Sequence, residues 1–292
     1  MTDEASPGDL APGVMTEYLT DDWGSFIRST KQLESFRSPY QAVEVHDTVR
    51  FGKLFRLDGH FMTSERDEFF YHENLVHIAG LAHPGPERAL VIGGGDGGST
   101  EELLKYPSMR AVTVAEIDAS VVEISRRYLQ EVHRGAFDDP RVGLRIGDGF
   151  RHVRETAEVY DLIVLDLTDP GGPSTALYTL DFYRACAKRL TSSGALTLHI
   201  ASPVAHPDRV GATIRELRRA FPRVTPYLAS IPLYGGLWMM ACCSQNLDPR
   251  EQSAMSIDLR ISQRRIRDLQ YLNGETYRGA LALPNFVQTL LR

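Results

Sequence analysis

The chain has 292 residues, enough for one large or two modest domains with a sizeable core. Apolar residues make up 42% and charged residues 24%, ordinary globular values that argue against a disordered, collagenous, coiled-coil or repeat chain. With 32 Lys plus Arg against 38 Asp plus Glu, the net charge of −6 leaves no basic surplus for a phosphate backbone. Nucleic acid is therefore not an expected partner, and the acidic balance suits a cationic ligand.

Residues 1–14 start acidic and rich in Pro and Gly, without the basic and apolar regions of a secretory leader, and read as a disordered tail. No later apolar run approaches the roughly 18 residues of a membrane span. Cys186, Cys242 and Cys243 form no C-x-x-C pair and read as small buried hydrophobes in a reducing compartment, which makes the cytoplasm the expected location.

Residues 15–84 read as an N-terminal β-strand domain with a following helix. From Pro39 to Thr63 the sequence is rich in β-branched and aromatic residues, alternates in part, and is broken at Asp47 and at Asp58-Gly59, as hairpins are. Phe69, Phe70, Leu75, Ile78 and Leu81 then recur at helical spacing until Pro84 and Pro86 stop the helix. A linker is expected at about residues 83–87.

Residues 85–292 read as the second domain. Short apolar runs at Ala89–Ile92, Val112–Glu116, Val142–Ile146, Asp161–Leu165 and Ala195–Ile200 alternate with helical patterns near Thr100–Tyr106, Ser120–Leu129, Leu177–Lys188 and Asp208–Ala220. Alternating βα units imply an α/β fold with a doubly wound, mostly parallel sheet. Leu237–Cys243, after Tyr234-Gly235-Gly236, is expected to run antiparallel at the sheet edge.

The run from Gly93 to Gly98 satisfies G-x-G-x-x-G between a strand and a helix, the context that a nucleotide-binding loop needs. Glu116 ends the next strand, where a carboxylate can accept both hydroxyl hydrogens of a ribose. A pyrophosphate would be repelled here, because Asp96 sits inside the loop and Glu101 and Glu102 fall in the first helical turn, with no Lys or Arg before Lys105. These carboxylates suit a ligand with positive charge beside its adenosine, such as a sulfonium, although the two Glu residues also fit as partners of the helix dipole.

Asp96, Glu116, Asp148, Asp166 and Asp169 all fall at the carboxyl ends of the predicted strands, where doubly wound sheets bind ligands. Crowded carboxylates repel one another unless a cation shares the site. Mg²⁺ or Ca²⁺ would suit carboxylates, but a metal prefers ligands from one short loop and these come from four strand ends, so an extended organic polycation fits better.

On these residues the chain resembles the spermidine synthase family, the polyamine aminopropyltransferases. The matching motifs are Tyr40-Gln41, Leu57-Asp58-Gly59, Asp67 to Glu73, Gly93 to Gly98, Glu116-Ile117-Asp118, Asp139 to Val142, Gly147-Asp148-Gly149, Asp166 to Pro170 and Leu177-Tyr178. The resemblance implies a Rossmann-like, methyltransferase-type sheet behind a small β-hairpin domain. It also implies transfer of an aminopropyl group from decarboxylated S-adenosylmethionine, a co-substrate, to an amine, with release of methylthioadenosine and with no cofactor or metal. By resemblance, Gln41, Gly93, Gly95, Asp96, Glu116, Asp148, Gly149 and Pro173 hold the donor. Tyr71, His72, Asp96, Asp169 and Tyr234 line the amine channel, and Asp166 is the proton acceptor. The expected partners are these small molecules, with no nucleic acid and no membrane, and the expected assembly is a homodimer or homotetramer.

Two departures touch the acceptor side. Leu167-Thr168 stands where many members carry small or polar residues, and Tyr234-Gly235-Gly236 replaces a proline-containing turn. The acceptor is accordingly read as putrescine or a related amine such as agmatine. A methyltransferase using S-adenosylmethionine itself, and a nonenzymatic polyamine-binding protein, are the competing readings.

Overall fold

The computed structural model describes residues 13–170 and 172–292. The tail expected over residues 1–14 lies outside them apart from Gly13 and Val14, and Val14 already belongs to the first strand. An antiparallel sheet comes first, in the order β1 (Val14–Tyr18), β2 (Gly24–Arg37), β3 (Ala42–Thr48), β4 (Gly52–Leu57) and β5 (His60–Ser64). The turns fall after Thr48 and at Asp58-Gly59; Asp47, read as a break, lies inside β3. Alternation of Val43 and Val45, both fully buried, sets the inner face of β3. No strand was expected at β1 or β2, because β1 is only five residues long and β2 is mostly polar and largely exposed.

Helix α1 (Glu68–Ala82) follows, and its sides are buried nearly all round. It packs against the second sheet and against the C-terminal segment rather than lying on a surface. Its polar side chains are therefore partnered inside the protein: Glu73 accepts backbone N–H groups of Gln270 (2.6 Å) and Leu272 (2.7 Å). Its last carbonyls accept from arginines, Ala82 from Arg260 (2.8 Å) and Gly80 from Arg264 (2.9 Å), which satisfies groups a helix end otherwise leaves open.

The second sheet is built from β6 (Arg88–Gly93), β7 (Ala111–Glu116), β8 (Val142–Ile146), β9 (Tyr160–Asp166), β10 (Leu190–Ala201), β11 (Arg223–Ile231) and β12 (Gly236–Ser244). Between them run α2 (Gly98–Leu104), α3 (Ala119–Tyr128), α4 (Gln130–His133), α5 (Gly149–Glu155), α6 (Leu180–Ala187) and α7 (Pro207–Ala220). Helices α8 (Ala254–Gln263), α9 (Gly274–Ala280) and α10 (Asn285–Leu290) close the chain. The strand order is β11-β12-β10-β9-β6-β7-β8, with β10, β9, β6, β7 and β8 parallel. Strand β12 is antiparallel, as expected, but it is not the edge: it pairs with β10 on one side and β11 on the other.

The strand order switches at β6, with β7 and β8 added on one side and β9 and β10 on the other, so a crevice opens at the ends of β6 and β9. Gly93 closes β6 at φ +77°, and a β-carbon there would run into the carbonyl oxygen of Asp166. Gly93→Ala therefore combines left-handed strain with a backbone clash. We expect it to lower the unfolding free energy by about 2–4 kcal/mol in urea denaturation. Gly143→Ala, in β8 with open space around it, should stay within about 0.5 kcal/mol of the parent.

Candidate active site

The glycine loop is stitched to the end of β9. Gly94, at φ +65°, donates its N–H to the Asp166 carbonyl (2.8 Å), and Gly97 donates to the Gly94 carbonyl (3.0 Å). Asp96 has a structural half and a free half: its Oδ1 accepts the Gly98 N–H (3.0 Å), while Oδ2 lies 3.5 Å from His72 Nε2. Gly98 lacks the β-carbon that would overlap the His72 ring, so α1 and α2 can meet at this point.

His72 sits between two carboxylates and is oriented by a third. Its Nδ1 bonds Glu68 Oε2 (2.9 Å), one turn earlier on α1, and its Nε2 is 3.5 Å from Asp96 Oδ2 and 3.9 Å from Asp166 Oδ2. Burial by itself lowers the pKa of an imidazole, but Asp96, Glu68 and Asp166 together raise that of His72 well above the usual value. The three carboxylates favour the imidazolium form. Burial opposes ionisation of Asp96 as well, and there His72 and the Gly98 N–H prevail and hold the carboxylate below its usual pKa. For Asp166 burial prevails, reinforced by Asp96, and its pKa is pushed up to about 6. The Oδ2 of Asp166 is buried without a hydrogen-bond partner, a basic oxygen left open.

His72, Asp96 and Asp166 present ligand atoms within 4.8 Å of one another, a clustering that sequence spacing did not reveal. To chelate a small cation the imidazole would have to give up its proton. Its ion pairs hold that proton in place, so the cluster carries its own positive charge.

One cleft of about 260 Å³ gathers most of the expected residues. It is lined by Gln41, Gly93, Gly95, Asp96, Glu116, Asp148 and Gly149, and also by Tyr71, His72, Asp166 and Tyr234. The Pro173 side chain lies outside the described residues. Glu116 Oε1 accepts the Asp118 N–H (2.8 Å), and burial, with the nearby Asp118 charge, raises its pKa to about 7. Gln41 is anchored by an N–H donated to Asp118 Oδ2 (3.1 Å), an oxygen that also accepts from Ser38 (2.6 Å). Asp148 caps α5 by accepting the Phe150 N–H (2.8 Å). Tyr234 donates to the Met62 carbonyl (2.7 Å), tying the loop before β12 to the first sheet.

Two expectations are corrected. Asp169 does not line the cleft; its Oδ2 accepts from Arg209 Nη1 (2.9 Å), an ion pair reaching across 40 positions of sequence. Glu101 and Glu102 do not charge the glycine loop, because they are answered elsewhere. Lys105 reaches both, at 3.2 and 2.8 Å, Arg134 pairs with Glu101 (3.2 Å), and His77 with Glu102 (2.8 Å). Of Asp96, Glu101 and Glu102, Asp96 alone lines the cleft.

Comparison with known proteins follows this geometry. A profile described as the spermine/spermidine synthase domain matches residues 68–253. A polyamine aminopropyltransferase of Nitrosomonas europaea is 47% identical over 98% of this chain and 88% of its own, and one of Bacillus mycoides is 37% identical over 95% and 98%. A spermidine synthase solved in complex with the transition-state analogue AdoDATO superposes with a TM-score of 0.90 at 33% identity, covering 99% of this chain and 98% of that one. The spermidine synthase of Thermotoga maritima gives 0.88 at 34% identity, over 95% and 94%.

Glu116 makes stability depend on pH. Its folded pKa of about 7 lies above the ordinary 4.5, so the folded state binds the proton more tightly and stability falls as pH rises through that window. Glu116→Gln removes the penalty. The ligand-free variant should be more stable than the parent by about 1–3 kcal/mol at pH 8, with the advantage shrinking toward pH 5, as read by urea denaturation at both pH values. An equal difference at the two pH values would contradict the assignment.

Proposed function

Because the chain belongs to the spermine/spermidine synthase family, the polyamine aminopropyltransferases, we propose that it transfers the aminopropyl group of decarboxylated S-adenosylmethionine to a primary amine, putrescine or a relative such as agmatine. The observation that carries the reading is Asp166: a buried carboxylate, open at Oδ2, more basic than usual, at the crevice of the sheet.

A primary amine has a pKa of about 10.4 and arrives protonated, without a lone pair for attack. Asp166 Oδ2 takes that proton. Desolvation in the cleft and the neighbouring His72 imidazolium both disfavour the ammonium, which brings the two pKa values closer. The nitrogen pair then forms a bond to the aminopropyl carbon on sulfur, the C–S bond breaks, and the sulfonium takes the pair to become the neutral thioether of methylthioadenosine. A sulfonium is already a good leaving group, so the step needs no metal or redox cofactor, and positioning for in-line attack supplies most of the rate.

Glu116 suits the ribose, and Asp148 has an oxygen free of the α5 cap for the adenine amino group. Asp96 Oδ2 favours a donor that ends in an ammonium alone and opposes the carboxylate of S-adenosylmethionine. Tyr71 and Tyr234 remain phenols, held protonated by burial and by Asp166, and can orient the amine. Among the described residues no helix is long and apolar enough to cross a membrane. Tyr18, Trp23 and Phe26, exposed on the β1–β2 hairpin, support a homodimer or homotetramer.

Incubation with the decarboxylated donor and a panel of putrescine, cadaverine, agmatine, norspermidine and spermidine, with chromatography of the products, tests this function. Methylthioadenosine together with an aminopropylated amine is expected. A methylated product from S-adenosylmethionine would favour a methyltransferase instead. Asp166→Asn should lower turnover by roughly two to four orders of magnitude with little change in donor affinity. In the parent, turnover should rise with pH through about 6 as Asp166 loses its proton. A variant that keeps more than about a tenth of parent turnover would remove Asp166 from the base role.

A further inference from the structure

Building on the amine-acceptor reading, we propose that Arg209 is an acceptor-specificity residue, one that competes with the incoming ammonium for Asp169 and so weakens the hold on polyamines. Arg209 stands in the first turn of α7, and its guanidinium reaches the loop after β9 to meet Asp169 Oδ2 at 2.9 Å. Both side chains are about one-third exposed, at 33% and 35%, so the pair stands where solvent and ligand can reach it. Asp169 lies three residues beyond Asp166, in the loop that follows the end of β9. Its neighbour Thr168 lines the cleft, so an amine that extends past that residue meets a carboxylate already neutralised.

Among the described residues the other oxygen of Asp169 has no second full cation within ion-pair distance; the His60 imidazole feels its charge only from farther away. Oδ1 is 3.8 Å from His199 Nδ1, yet that nitrogen accepts the Trp238 indole N–H (3.1 Å). An indole only donates, so Nδ1 carries no proton, and Nε2–H donates to the Tyr178 hydroxyl (2.9 Å). Tyr178 donates in turn to the Thr168 carbonyl (3.1 Å). This one-way chain fixes the loop that carries Asp166 and Asp169, and it keeps His199 neutral. His206, ahead of α7, is held toward its neutral form by burial and by Arg209. Among the described residues, Arg209 is thus the full cation paired with Asp169.

Two consequences follow for a bound amine. It can share Asp169 through Oδ1 while Arg209 keeps Oδ2, or it can displace the guanidinium, and either way the attraction is smaller than a bare carboxylate would give. The site therefore spends one of its few negative charges internally. Removing the guanidinium restores that charge.

Steady-state kinetics with the decarboxylated donor and varied putrescine or agmatine test this on the full chain. Arg209→Met should lower the acceptor KM at least about twofold, and as much as about tenfold, while the donor KM stays where it is. Arg209→Lys, which keeps a charge near Asp169, should return the acceptor KM toward that of the parent, and Arg209→Gln serves as a second neutral variant if the Met variant misfolds. An acceptor KM that rises, or that falls by less than about twofold in a folded neutral variant, overturns the proposal. Absence of any transfer by the parent would instead overturn the reading on which it rests.

Discussion

Two carboxylates, Asp96 and Asp166, are crowded, with 13% and 10% of their side chains exposed, around a single fully buried imidazole, and the rest of the site follows from that crowding. One cation cannot fully satisfy two anions in a desolvated pocket, so the charge is divided unequally. Asp96 takes the closer approach to His72 together with a backbone N–H, and it stays ionised. Asp166 has the longer approach and an unpartnered oxygen, and becomes the more basic of the two. The same Asp166 accepts the Gly94 N–H through its carbonyl, so its backbone and its side chain serve the loop and the chemistry from one position. Glycines at 93, 94 and 98 are what let β6, β9 and α1 come this close, since β-carbons there would meet Asp166, Val91 and His72.

Seen this way, a net charge of −6 says little about the pull on a polyamine. Glu101, Glu102 and Glu68 are tied to Lys105, Arg134, His77 and His72, and Asp169 is tied to Arg209. The negative charge that faces the cleft without a full partner comes down to the exposed Asp148 and to two less accessible groups, Asp166 and, above its raised pKa, Glu116. Each of these two costs stability by being buried, which is a common feature of sites built to bind cations and move protons.

Much of the fold was legible because the second domain alternates short apolar runs with helical patterns, and the strands and helices read from that rhythm fall where it places them, whereas the short α4 and α5 and the C-terminal α8, α9 and α10 were not read. Strands β1 and β2 were silent: β1 is only five residues long and β2 exposes more than half of its residues, so no strong period-two signal exists in VMTEY or in the long polar stretch of β2. Strand β11 was hidden for a different reason, since Pro226 within it argues against a strand, and an edge position is where proline is tolerated. In the site, the glycine loop, Glu116, Asp148 and Asp166 were readable because each sits at a fixed offset from a strand end. The pairing of Asp169 with Arg209 and the chain Trp238–His199–Tyr178 were not, because they join segments 40, 39 and 21 residues apart that meet through topology alone.

The division of charge between Asp96 and Asp166 is the centre of the account, and it can be measured directly. In a ¹³C-detected titration of the free protein labelled at aspartate carboxyl carbons, with Asp166→Asn and Asp96→Asn used for assignment, Asp166 should titrate near pH 6 and Asp96 should remain ionised well below that. An Asp166 that titrates at the ordinary carboxylate value of about 4, or an Asp96 that takes up its proton first, would contradict it.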